Sequence, residues 1–85
     1  MKIIKISAMW CPSCLIMNDL IDEVINKYNV VEYIKYDFDL DQDEVSKYNV
    51  GNILPVIIKF DENNNEILRL IGEKSKKELE EFLEG

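Results

Sequence analysis

The spacing of apolar residues changes once near the amino end, between Ser7 and Cys11, and that change limits the folds open to the chain. Before it, Met1 to Ser7 carries Ile3, Ile4 and Ile6 and ends at small residues, the mark of a short buried strand. After it, Leu15, Ile16, Leu20, Ile21, Val24, Ile25 and Tyr28 recur at helical spacing. Asn18, Asp19, Asp22, Glu23, Asn26 and Lys27 fill the opposite face. The spacing predicts an amphipathic helix of about four turns from Cys11, with Pro12 in the first turn, where its missing N–H costs nothing. Val30 to Phe38, rich in β-branched and aromatic residues, reads as a second strand. Strand, long helix and strand in succession predict a parallel pair joined by a right-handed crossover.

Further along, Asp41 to Asn49 reads as a short helix with acids at its N-terminus, where the macrodipole favours them. Val56 to Phe60 is a third strand. Asp61 to Asn65 is turn chemistry, and Glu66 to Ile71 returns as a fourth strand to close a hairpin. Ser75 and Glu78 form a capping box that starts a last helix through Leu83. The expected architecture is α/β, in the order β-α-β-α-β-β-α, with a four-stranded mixed sheet and helices on both faces. Its 85 residues form one domain, 1–85, without repeats or linkers.

Charge narrows the function. Ten basic and seventeen acidic residues give a net charge of -7, which argues against nucleic acid and against anionic membrane surfaces. No apolar run approaches the roughly 18 residues that span a bilayer. The opening "MKIIKIS" is too short in apolar residues for a secretory signal, so the expected location is cytoplasmic, where thiols are kept reduced. Histidine is absent, which removes the commonest general base and metal ligand. In "DFDLDQDE", a calcium loop starting at Asp37 would need glycine at Gln42 and glutamate at Tyr48, so a solvated strand end and helix start explains these acids better.

The chemistry concentrates in Cys11 and Cys14. A zinc site needs four ligands, and two cysteines reach that number only if shared across a dimer. As a staple, a pair two residues apart closes too small a loop to constrain the unfolded chain. A redox pair fits the position: a helix N-terminus presents free N–H donors and a positive dipole end, which stabilise a thiolate at Cys11. Cys14, one turn in, keeps a more ordinary thiol.

"WCPSC" opening a helix, "ILP" before the third strand and the "LIGEKSKKEL" tail together resemble the thioredoxin superfamily. The resemblance covers essentially the whole chain, without the extra N-terminal strand and helix of full-length thioredoxins, and the size is nearer to glutaredoxins and small archaeal and bacterial thioredoxins. It implies a thioredoxin-like fold in which Cys11 attacks a substrate disulfide and Cys14 resolves the mixed disulfide. It also implies a cis bond at Pro55, packed beside the dithiol, and substrate hydrogen bonds from the Leu54 backbone. Trp10 matches the tryptophan before the first cysteine, either on the surface beside the dithiol or as a core aromatic. Met9, Ile53 and Leu54 fit a substrate rim or the core equally. Ser13 is expected to donate to the Cys11 sulfur, and Pro12-Ser13 lacks the histidine of strongly oxidising relatives, so a reducing potential is expected.

Two positions depart from the family pattern. Lys5 stands where thioredoxins carry a buried aspartate, six residues before the first cysteine, and Lys35 matches the lysine that pairs with it. Two facing lysines repel, so one must turn away, deprotonate or pair with a carboxylate such as Asp37. As a cation beneath the dithiol, Lys5 would tune the thiols; the alternative is a solvent-facing lysine on an edge strand. Ile53-Leu54-Pro55 and Gly72-Glu73 replace the Thr-Val-Pro and double glycine of glutathione-dependent glutaredoxins. The expected function is a cytoplasmic, monomeric reductase of protein disulfides, without a cofactor and recycled by a thioredoxin reductase or equivalent donor. The alternatives are a glutathione-driven glutaredoxin-like activity and a redox-inactive binding module.

Overall fold

Lys2–Ser7 forms strand β1, and its four central residues, Ile3 to Ile6, are buried because a strand lies on each side of it. The computed structural model describes residues 1–28 and 30–85. Its elements follow as helix α1 (Pro12–Asn26), strand β2 (Glu32–Asp37), helix α2 (Gln42–Val45), strands β3 (Val56–Phe60) and β4 (Glu66–Ile71), and helix α3 (Lys76–Glu84). The sheet order is β2-β1-β3-β4. β1 runs parallel to β2, with Lys5 opposite Lys35, and antiparallel to β3, with Ile4 opposite Ile58. The β3–β4 hairpin completes the mixed sheet.

Burial explains the strand sequences. All of β3 is covered, as its near-continuous apolar run requires, whereas β2 and β4 are edges and alternate less cleanly. β2 is shorter than Val30 to Phe38, because beyond its ends only single bonds continue the pairing. Val31 N–H donates to Met1 O at 3.0 Å and Phe38 N–H to Ser7 O at 2.8 Å. The segment 41–49 splits into α2 and one tighter turn, Ser46–Tyr48, and stops at Asn49, which adopts φ 53°. Such left-handed backbone suits asparagine and ends a helix.

The sheet separates two cores. Ile4, Ile6, Val56, Ile58 and Phe60 pack toward Val45 of α2, and the two cysteines join this cluster. Ile3 and Ile57 pack toward Met17, Ile21, Val24 and Ile25 of α1 and Leu79, Phe82 and Leu83 of α3. The dithiol thus sits at one end of the sheet, as part of the first core. α1 is rotated from the sequence expectation: Cys14, Met17, Ile21, Val24 and Ile25 are buried, while Leu15 and Ile16 are 66% and 65% exposed. Tucking Cys14 under the first turn forces its two neighbours outward. Asp22, expected on the solvent face, is half-buried for the same reason.

The capping box of α3 forms as expected: Glu78 N–H donates to Ser75 Oγ and Ser75 N–H to Glu78 Oε1, both at 3.2 Å. At its other end the buried Lys59 ammonium donates to Phe82 O at 3.0 Å and also to Gly85 O. A cation there satisfies free carbonyls and opposes the negative dipole end, which makes a lysine tolerable in an otherwise apolar strand. Because Ile58 is fully buried and Leu15 is not, Ile58→Ala is expected to cost about 2–5 kcal/mol. Leu15→Ala should stay within about 0.5 kcal/mol of the parent. Denaturant unfolding of the two variants checks the difference, and equal losses would contradict the orientation of α1.

Candidate active site

β1 ends at Ser7, and the chain folds back so that Cys11 N–H donates to Ala8 O at 3.2 Å. Cys11 then takes extended backbone (φ -93°, ψ 111°) and caps α1 with its own side chain, accepting the Cys14 N–H on Sγ at 3.2 Å. Sulfur here does what a serine or aspartate oxygen does at most helix starts. Pro12 occupies the first helical position and is exposed. Both cysteines are buried free thiols, Cys14 fully so.

Pro55 lies across from the pair. The Leu54–Pro55 bond is cis, and Cys11 Sγ donates to Leu54 O at 3.6 Å. The Leu54 side chain is in the core, so this residue presents its backbone to the dithiol, while Ile53 and Met9 are exposed at 63% and 76%. Gly72 secures the segment: its N–H donates to Pro55 O at 2.9 Å, and its φ is +86°. A side chain there would be strained and would press on Ile53 Cγ2, 3.3 Å from where its Cβ would lie.

Trp10 is a surface residue, 57% exposed. Its indole N–H donates to Asp39 Oδ2 at 2.6 Å and its ring meets Phe38 edge-on at 6.2 Å. Two expectations need correction. Ser13 does not donate to the Cys11 sulfur; its hydroxyl donates to Glu73 Oε2 at 3.3 Å, because the loop after β4 brings a carboxylate to the first turn of α1. Lys5 is not a solvent-facing lysine on an edge strand, since β1 is central and Lys5 is 4% exposed.

The partner of both lysines is Asp22, not Asp37, whose Oδ1 instead accepts the N–H groups of Asp39 and Leu40. From α1, Asp22 Oδ1 lies 3.6 Å from Lys5 Nζ, and Oδ2 3.2 Å from Lys35 Nζ. Asp22 Oδ1 also accepts the Tyr33 hydroxyl at 2.7 Å. Burial pushes the Asp22 carboxyl up, but the Tyr33 hydroxyl and the two ammonium groups outweigh it and hold it below its ordinary value. Burial likewise lowers Lys5, against the pull of Asp22. The Cys14 thiol is pushed up to about 11, first by burial and then by its hydrogen bond with Cys11, while the Ala8 backbone and Lys5 act in the other direction. Cys14 therefore stays protonated at neutral pH while Cys11 receives an N–H on its sulfur. Among the described residues, no cluster of three or more Cys, Asp or Glu is placed to hold a metal ion.

This geometry has relatives. Residues 1–85 match the thioredoxin family throughout. The chain belongs to the thioredoxin family. Thioredoxin H2 of Arabidopsis thaliana is 33% identical over 78 residues, which cover 92% of this chain and 56% of that protein, so the chain spans little more than half of that thioredoxin's length. Among solved structures, reduced Schistosoma mansoni thioredoxin pre-protein superposes with a TM-score of 0.85 at 24% identity, over 98% of this chain and 75% of the other. Trxlp of Edwardsiella tarda gives 0.85 at 24% identity, over 96% and 80%. These likenesses establish a thioredoxin fold, with the sheet and helix order expected from the sequence.

Within that thioredoxin fold, Trp10, Pro12, Ser13, Leu54 and Pro55 gather around Cys11 and Cys14, and Lys5 lies behind them with Lys35 farther out. Sequence reasoning missed Asp22, Glu73 and Asp39 as partners. Asp22 stands eight residues after Cys14, on the helix ridge that also carries Cys14, and that spacing was the available signal. Glu73 and Asp39 arrive from loops and left none.

Two measurements test these electrostatics. Thiolate absorbance of the reduced protein is expected to include a step near 11 that is absent in Cys14→Ser; a titration curve unchanged by that substitution would contradict this. Folding lowers the Asp22 pKa, so its stabilisation is complete above the ordinary carboxyl value and is lost as pH falls through the folded value. The stability gap between parent and Asp22→Asn should close on acidification, and a gap constant from neutral to acid pH would contradict the assignment.

Proposed function

We propose that this thioredoxin-family chain is a thiol–disulfide oxidoreductase that reduces protein disulfides in a reducing compartment such as the cytoplasm. The observation that carries the reading is the N-cap of α1, where the Cys11 sulfur accepts the Cys14 N–H at 3.2 Å. A hydrogen bond of this kind strengthens as the sulfur gains negative charge, so the helix mouth favours the attacking thiolate. Cys11 attacks one sulfur of a substrate disulfide, the substrate S–S bond breaks, and one substrate thiolate leaves. Cys14 then displaces the second substrate sulfur and closes the Cys11–Cys14 disulfide. A thioredoxin reductase or an equivalent donor of two electrons returns the pair to dithiol. The cycle needs no small-molecule cofactor, and one monomer carries the whole site.

Substrate class follows from the rim. Exposed Met9, Trp10 and Ile53 offer apolar contact, and the Leu54 backbone beside the cis Pro55 offers hydrogen bonds to an extended chain. Pro12 and Ser13 flank the attacking sulfur, with Glu73 at Ser13. That carboxylate repels the carboxylates of glutathione, so a protein disulfide fits better than a glutathione mixed disulfide. In an insulin-reduction assay the parent is expected to be active, Cys11→Ser to lose activity by at least about a hundredfold and Cys14→Ser to turn over poorly. Activity that survives Cys11→Ser would overturn the mechanism. Faster turnover with glutathione than with thioredoxin reductase would favour the glutaredoxin-like alternative, and inactivity with every reductant a binding module.

A further inference from the structure

Glu73 is held at the mouth of the dithiol from two directions. Behind it, Gly72 N–H donates to Pro55 O at 2.9 Å, which fixes the start of the loop after β4 against the cis bond. In front, its own Oε2 accepts the Ser13 hydroxyl at 3.3 Å, from the first turn of α1. Cys11 Sγ, two residues before Ser13, donates in turn to Leu54 O at 3.6 Å, next to Pro55. The carboxylate therefore ties together the two segments between which a substrate disulfide has to enter. Glu73 is itself exposed, so whatever docks there meets its charge.

No cation of the chain answers that charge. Among the described residues Glu73 forms no ion pair. The nearby lysines are engaged elsewhere: Lys74 acts on Glu78, Lys47 is bound to Glu44, and Lys5 and Lys35 share Asp22. From the other side of the motif, Asp39 adds a charge of the same sign. It accepts the Trp10 indole N–H at 2.6 Å, and a neutral donor of that kind leaves the carboxylate charge in place, as the Ser13 hydroxyl does for Glu73. Exposed charges are screened from distant groups but act on one that binds within a few ångströms.

We infer that Glu73 is a specificity-determining residue that selects disulfides whose reacting cysteine has an arginine or lysine beside it. The inference rests on the disulfide-reductase reading, which by itself disfavours acidic ligands and names no feature that is sought. In the attack, the Cys11 sulfur bonds to one substrate sulfur, the substrate S–S bond breaks, and the other sulfur leaves with the electron pair. Negative charge spreads over the sulfurs beside two carboxylates. A cation that the substrate carries in offsets the repulsion, and a carboxylate there adds to it. Glu73 Oε1 has no partner among the described residues, so an arriving ammonium or guanidinium finds an acceptor that Ser13 does not occupy.

Two disulfide-linked peptides, identical except for an arginine or a glutamate next to the cysteine, test this through the ratio of their attack rates. Each rate is first divided by the rate with free dithiothreitol, which removes the peptide's intrinsic reactivity. Taking the ratio within one variant then cancels any change in the ionisation of Cys11. The parent is expected to favour the arginine peptide by about tenfold at low ionic strength, with the preference fading in high salt. Glu73→Gln should lower that ratio by about threefold and Glu73→Lys should lower it further. A parent that does not discriminate, or a ratio that both substitutions leave unmoved, would overturn the inference while the reductase reading stands. A parent that reduces neither peptide would overturn that reading, and the inference with it.

Discussion

The hydrogen bond from the Cys14 N–H to the Cys11 sulfur joins the fold to the chemistry. It is the N-cap of α1, so the helix that covers one face of the sheet begins at the atom proposed to react. The same bond sets the asymmetry of the pair. The capping sulfur receives a donor at the positive end of the helix, whereas Cys14, one turn in, is enclosed by the core and held as a thiol. A helix that started one residue earlier or later would lose this arrangement, and the turn at Ala8 fixes the start by accepting the Cys11 N–H.

Everything else at the site is positioned by the central strand. β1 delivers the chain to Ala8 and carries Lys5 beneath α1, and its neighbour β3 begins directly after Pro55. A buried lysine in such a place is tolerable only with a counter-charge, and Asp22 provides it from α1 while also binding Lys35 and Tyr33. One carboxylate thereby satisfies three donors and ties α1 to β1 and β2. The second buried lysine, Lys59, is met by the carbonyls at the end of α3 instead. Both follow one rule: a long cation stays in the core when its ammonium reaches a negative partner at the core's edge.

Most of this was legible in the residues because local signals agreed. β3, β4 and the capped start of α3 lie where pattern and turn chemistry put them, and Cys11, Cys14 and Pro55 converge as their motifs imply. The failures share a cause. The helical face was assigned by counting apolar residues, which placed Leu15 and Ile16 inside, but the first turn is oriented by Cys14 and the turn before it. That rotation also turned Asp22 and Asn18 inward. Glu73 and Asp39 depend on how loops return to the dithiol, and nothing local to Ser13 or Trp10 encodes that.

The central claim is that Cys11 is the only sulfur that meets a substrate disulfide and that Cys14 acts only afterwards. Incubating Cys14→Ser with a disulfide-bonded protein and reading the product by mass spectrometry tests it most directly. The account predicts a stable mixed disulfide at Cys11, and none in Cys11→Ser. An adduct that forms as readily on Cys14 in Cys11→Ser, or no adduct in either variant, would contradict it.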